Sequence, residues 1–139
     1  MRVITFLIND SLFGVDITMV KELYRNIQYT PIPCASKCVI GLLNLRGQVV
    51  TLLDLASLIG YADRPSKERN LCIILKKRWE DDDIVGFTID EPGDVIDLED
   101  GDIQPPPANI RDMDNQYLAG VAKLKDRLLL ILDMEKIIE

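Results

Sequence analysis

The chain has 139 residues, 47% of them hydrophobic, enough for one domain, or two small lobes sharing a core, with a sizeable interior. Its net charge of −7 excludes a general nucleic-acid binder, because neutralising phosphates takes a surplus of Lys and Arg. The absence of histidine removes the commonest general base, the commonest neutral metal ligand and the usual pH switch near neutrality.

Val3 to Ile8 (VITFLI) alternates as a strand does and lacks the apolar block of a signal peptide, so the expected compartment is the cytoplasm. Asn9-Asp10 marks a turn into a second strand, Phe13 to Ile17, and Pro31-Ile32-Pro33 marks a corner. From Gly41 to Gly60 (GLLNLRGQVVTLLDLASLIG) two apolar runs flank a turn at Arg46-Gly47, and Asp54 to Ile59 reads as a turn or two of helix. Strands follow at Leu71 to Leu75 and Ile84 to Ile89. The basic Lys76-Lys77-Arg78 between them is cancelled by Glu80 to Asp83, as at a solvated hairpin tip. Glu91-Pro92-Gly93 reads as a turn before a strand at Val95 to Leu98, and Pro105 to Pro107 as another break. Arg127 to Leu132 closes the series as a strand, with a short helix over Asp133 to Ile138. Many short strands and weak helical periodicity predict a mostly-β fold, built as small barrels or a sandwich. The apolar run Leu128 to Leu132 is only five residues, so no membrane insertion is expected.

Three cysteines, Cys34, Cys38 and Cys72, cannot supply the four Cys or His ligands of a structural zinc site, and a cysteine nucleophile would lack a histidine base. Cys72, inside LCIIL, reads as a small core hydrophobe and the other two as ordinary reduced thiols. Neither a metal nor any other cofactor is expected.

An internal repeat is the most informative feature. An offset of 79 pairs Gly41 with Gly120, Leu45 with Leu124, Leu53 with Leu132, Asp54 with Asp133 and Ile59 with Ile138. Upstream, VITFLI followed by FGVDI echoes LCIILK followed by VGFTI, with Gly14 opposite Gly86. The halves divide at roughly 1–67 and 68–139, each with about five strands. They suggest two small barrels packed side by side, and the repeat leaves open whether strands exchange between them. Asp54 and Asp133 are expected to cap the short helices that follow. The one marked difference is that Arg46-Gly47 becomes Lys125-Asp126.

The motif from Gly41 to Leu55, with Asn44-Leu45-Arg46-Gly47 at its centre, resembles the signature of CheW-like coupling domains. FGVDITMVKEL (Phe13 to Leu23), TPIP, IVGFTIDEPGDVIDL and YLAGVAKLKDRLLLILDMEKII extend the resemblance over residues 1–139 as a single domain. It implies an all-β double barrel of two SH3-like five-stranded β-barrel lobes with short helices. The implied role is that of a non-enzymatic chemotaxis scaffold. It would bridge the cytoplasmic tip of a methyl-accepting chemoreceptor to the regulatory domain of a CheA-type histidine kinase, at receptor arrays. By position, the resemblance assigns receptor coupling to Val20, Glu22, Gly41 and Arg46, with Val95 and Ile96 in the second half. It assigns kinase contact to Leu42, Asn44, Gly47 and Gln48. Glu22 and Arg46 would pair, and lysine would replace that arginine poorly.

Each residue also has a plainer reading. Val20, Leu42, Val95 and Ile96 fit core positions, Gly41 and Gly47 fit backbone with positive φ, and Arg46 fits a strut that shapes a groove from behind. Among other functions, a CheW-like scaffold of another chemosensory pathway, such as pili or gliding motility, fits equally well. A divalent-ion hydrolase using Asp54, Asp90 or the acidic Glu80 to Asp83 would need an ordered ligand pattern that these carboxylates lack. A detached kinase regulatory domain would share the fold but is not the expected reading, since these 139 residues include no ATPase or phosphotransfer segment.

Overall fold

The computed structural model describes residues 1–32, 39–59, 71–76, 84–106 and 117–137. Cys34, Cys38, Gly60, the segment 77–83, Pro107 and Ile138 fall outside the described residues. Among the described residues there are twelve strands: β1 (Arg2–Ile8), β2 (Ser11–Asp16), β3 (Val20–Arg25), β4 (Tyr29–Thr30), β5 (Val39–Leu45), β6 (Gln48–Leu53), β7 (Leu71–Leu75), β8 (Ile84–Ile89), β9 (Glu91–Asp97), β10 (Ile103–Gln104), β11 (Leu118–Lys123) and β12 (Leu128–Leu132). The helices α1 (Leu55–Leu58) and α2 (Met134–Ile137) follow β6 and β12. The all-β class expected from the pattern holds, with six strands per sheet where about five were expected; the extra members are two-residue edge strands.

One sheet has the order β10-β11-β12-β2-β1-β9 and the other β3-β7-β8-β6-β5-β4. Each sheet therefore takes four strands from one half of the chain and two from the other. Read in opposite directions, the two orders place β1 where β7 stands, β2 where β8 stands and β9 where β3 stands. The one parallel ladder in each sheet among the described residues, β12 with β2 and β6 with β8, occurs at the same place. There Ile131 lies beside Gly14 and Leu52 beside Gly86, so the glycines make room for side chains filling the concave face.

Burial explains why β1, β2, β7 and β8 read as nearly continuous apolar runs. Alternate residues of each strand face two different cores. Phe6, Ile8, Phe13, Val15, Ile73, Phe87 and Ile89 pack with Leu55, Ala56, Met134 and Ile137 in a core shared by the two sheets and both helices. The opposite faces fill the concave interior of each sheet separately. Cys72, Ile74, Val50 and Leu52 lie within one, and Val3, Leu129 and Ile131 within the other. Cys72 is fully buried, as its setting in LCIIL implied, and burial pushes its thiol up to about 12, with the Glu22 charge adding to the effect. A raised folded-state value keeps the thiol neutral and its stability contribution intact below about pH 9. That contribution falls as the pH rises toward 12, by at most ~1.4 kcal/mol per unit. A Cys34→Ser/Cys38→Ser variant is expected to stay unreactive to a disulfide reagent at pH 8 until unfolded; reaction of the native form would contradict this burial.

Both aspartates of the repeat occupy the position before a helix. Asp133 accepts from the Lys136 backbone N–H at 3.3 Å, as expected of a cap. Asp54 differs: its carboxylate makes no cap bond to backbone and instead accepts the Ser57 hydroxyl at 2.9 Å, because Ser57 offers a donor within the same turn. Two strand readings also shift. Ile17 leaves β2 for a single 3-10 turn (Ile17–Met19), where Asp16 accepts from the Thr18 N–H at 3.0 Å. Glu91-Pro92-Gly93 is not a turn but the start of β9, an edge strand where proline costs no ladder bond on its free side.

Candidate protein-docking site

The β5–β6 hairpin turns through Arg46 and Gly47, with φ of 51° and 84°. Positive φ at both central residues is what a two-residue turn needs to follow the strand twist, and Gly47 supplies it without a Cβ penalty. Asn44 steadies the turn by accepting the Gly47 N–H at 3.1 Å. Arg46 leaves this turn toward β3, where its Nη2 donates to Glu22 Oε1.

That ion pair says something about the whole sheet. In the ladder order β3-β7-β8-β6-β5, Glu22 and Arg46 lie four strand steps apart, about 19 Å if the sheet were flat. An arginine cannot span that distance. The sheet therefore curls until the β5–β6 turn meets β3, with β3 and β4 the edges of the ladder among the described residues. Glu22 is only a quarter exposed and Arg46 is two-thirds exposed, so the carboxylate is set into the surface and the guanidinium covers it.

Outside this corner the hairpin displays a mixed face. Leu43 and Leu45 point inward, whereas Leu42 and Asn44 point out, and Asn44 pairs with an exposed Val49. Leu42 is diagonal to Val49, so the two form an apolar step with Asn44 beside it and Gly47 at the turn, while Gln48, paired with inward-facing Leu45, lies on the other face of the hairpin. The four residues assigned to kinase contact thus share one exposed hairpin. Val49 was missed, although its place opposite Asn44 in the alternation was a signal for it.

The receptor-assigned residues are more scattered. Glu22 and Arg46 meet. Val20, on the same strand as Glu22, is half-buried against the shared core. Gly41 is buried where β5 passes β4: a Cβ there would sit 2.4 Å from the Thr30 carbonyl oxygen. Gly41 is thus required by close approach and not by positive φ, which among the described glycines only Gly47 has. Val95 and Ile96 lie on β9, at the edge of the other sheet corresponding to β3. Val95 is half-exposed, while Ile96 packs toward that sheet's interior. At the start of the chain, Arg2 ties β1 to β9 through a 2.8 Å bond to Asp97. This hydrogen bond, and then the charge behind it, holds the Asp97 carboxyl below its ordinary range.

Among the described residues no group of His, Cys, Asp or Glu could hold a metal ion, and no helix is long and apolar enough to cross a membrane. A family model described as CheW-like domain matches residues 2–139. The chain belongs to the CheW-like family. A relative named chemotaxis protein CheW in Helicobacter pylori is 31% identical over 140 residues, covering 100% of this chain and 82% of the relative. Another of the same name in Rhizobium meliloti is 27% identical over 136 residues, covering 98% and 86%. Among solved structures, scaffolding protein TtCheW from Thermoanaerobacter tengcongensis superposes with a TM-score of 0.82 at 26% identity. The match covers 96% of this chain and 84% of that one. The fold described above is thus that of a CheW-like scaffold.

Proposed function

We propose that this CheW-like protein is a non-enzymatic adaptor in the cytoplasm that couples methyl-accepting chemoreceptor tips to the regulatory domain of a CheA-type histidine kinase at receptor arrays. The observation that supports it most is the Arg46–Glu22 corner, which fixes the β5–β6 hairpin against β3 and so holds an exposed face in one orientation. A rigid body that presents two surfaces can hold receptor and kinase together so that the state of one biases the other. Leu42, Asn44, Gly47 and Gln48 form the kinase-facing surface in this reading, joined by Val49. The receptor hairpin lies on the side of Val20, Glu22, Gly41 and Arg46, with Val95 and Ile96 contributing from the second sheet. Receptor binding follows helix-in-groove recognition. The unit is one domain of two lobes.

Arg46 acts here as a strut. Arg46→Lys keeps the charge but loses the planar fork that meets a carboxylate. Because the pair is exposed, the substitution is expected to cost at most about 1 kcal/mol of folding stability. It is expected to weaken binding to a receptor-tip helical hairpin roughly ten-fold, or ~1.4 kcal/mol. Calorimetric titration alongside thermal unfolding separates the two effects. Unchanged affinity for both partners, or an unfolded variant, would count against the strut.

A further inference from the structure

The corner that Arg46 closes in one sheet stands open in the other. On β3, Val20 pairs with Leu75 and Leu23 with Ile73, leaving Lys21 and Glu22 as a bulge against Ile74. On β9, Pro92 pairs with Phe6 and Val95 with Ile4, leaving Gly93 and Asp94 as a bulge against Thr5. Thr5 and Ile74 are themselves equivalent, since each faces the glycine of its parallel-ladder strand, Gly14 and Gly86. Asp94 therefore stands where Glu22 stands. Its counterpart turn, Leu124 to Arg127, closes by a 2.9 Å bond from Leu124 N–H to the Arg127 carbonyl.

That turn does not send a cation to Asp94. Lys125 and Asp126 replace Arg46 and Gly47, and neither has the positive φ that aims Arg46. Among the described residues no cation is paired with the Asp94 carboxylate. In place of the ion pair there is a cleft of about 270 Å³, lined by Leu7, Leu12, Ile96 and Leu124 together with Asp94 and Arg127. Arg127, which lines the same cleft, is tied by a 2.7 Å bond from its Nη2 to the Asp10 carbonyl. The Asp94 backbone is held in place by the Thr5 hydroxyl, which donates to its carbonyl at 2.6 Å.

We propose that this cleft takes an arginine side chain from an extended segment of a partner protein. The guanidinium would pair with Asp94 as Arg46 pairs with Glu22, and the aliphatic stem would lie along Ile96 and Leu124. An apolar cleft lined also by an aspartate unpaired among the described residues matches a side chain with an apolar stem and a planar cation. Val95, on the opposite face of β9, is left free for a different contact.

The test is an NMR titration of the full chain with Nα-acetyl-arginine amide. Shifts are expected at Thr5, Leu12, Gly93 to Ile96 and Leu124. Asp94→Asn should weaken binding at least ten-fold, whereas Asp97→Asn, whose carboxylate serves Arg2, should leave it unchanged. The double substitution Lys125→Arg with Asp126→Gly should rebuild the closed corner and abolish binding; the same spectra report that each variant is folded. No shifts at millimolar concentration, equal shifts with acetyl-norleucine amide, or binding that survives in Asp94→Asn or in the rebuilt corner would each overturn the proposal. So would preferential binding of acetyl-glutamate amide through Arg127.

Discussion

Phe6→Ala is expected to remove about 4 kcal/mol of folding stability and to lower the melting temperature by roughly 15 °C. Phe6 is fully buried; its ring stacks on Phe13 at 6.1 Å and tilts against Phe87 at 5.5 Å. Phe6 and Phe13 sit on neighbouring strands of one sheet and Phe87 on the other, so the cluster joins the sheets. Removing the ring loses its transfer free energy and leaves a cavity between two curled sheets that cannot both close over it. Chemical denaturation should show one transition with an unchanged slope and a lower midpoint. A loss below about 1 kcal/mol, or separate unfolding of two units, would mean that the sheets do not share this core.

Gly41→Ala should cost about 3 kcal/mol, a loss caused by crowding and not by backbone conformation. Its Cβ would lie 2.4 Å from the Thr30 oxygen and 3.0 Å from the Thr30 carbonyl carbon, both backbone atoms that yield only if β4 leaves β5. Gly47 offers the contrast within the same hairpin: a Cβ there meets nothing within 4 Å, and only its φ of 84° resists substitution. Gly47→Ala should cost about 1 kcal/mol. Denaturant midpoints for the two variants check the difference. Similar losses at both positions would contradict the close approach. The result also bears on binding, because a receptor-coupling defect in Gly41→Ala would follow from a displaced β4 without any contact at residue 41.

How far the chain could be read depended on where each strand lies. β1, β7 and β8 were legible because both of their faces are buried, giving runs such as VITFLI and LCIIL. β3 was not, because VKELYR is an edge strand whose polar residues face water and whose bulge at Glu22 breaks the alternation. Pro92-Gly93 hid the start of β9 for a similar reason, since a bulge on an edge uses the residues that elsewhere make turns. The repeat was legible at an offset of 79, but similarity between halves does not say which sheet a strand joins. Pairing β1 and β2 with β12 depends on contacts between distant segments. Leu128, expected within a core strand, is about half exposed, because it sits at the strand's end opposite Lys123.

The candidate site was legible in part and for a physical reason. An arginine followed by glycine between two apolar runs has few structural uses, and pairing with Glu22 is one of them. The patch around Val49 was harder to see, since its place opposite Asn44 is read only by counting the register back from the Arg46-Gly47 turn. The absent counterpart at Lys125-Asp126 was visible as a difference, but its consequence was not. That a cleft stands beside Asp94 follows only from the bulge on β9.

A rigid adaptor of the kind proposed would hold receptor and kinase at the same time. Sedimentation of the protein with a receptor-tip helical hairpin and a CheA regulatory domain distinguishes this from exclusive binding. Two binary complexes and a ternary complex of all three are expected. Binding to neither partner, or two partners that displace each other, would contradict it.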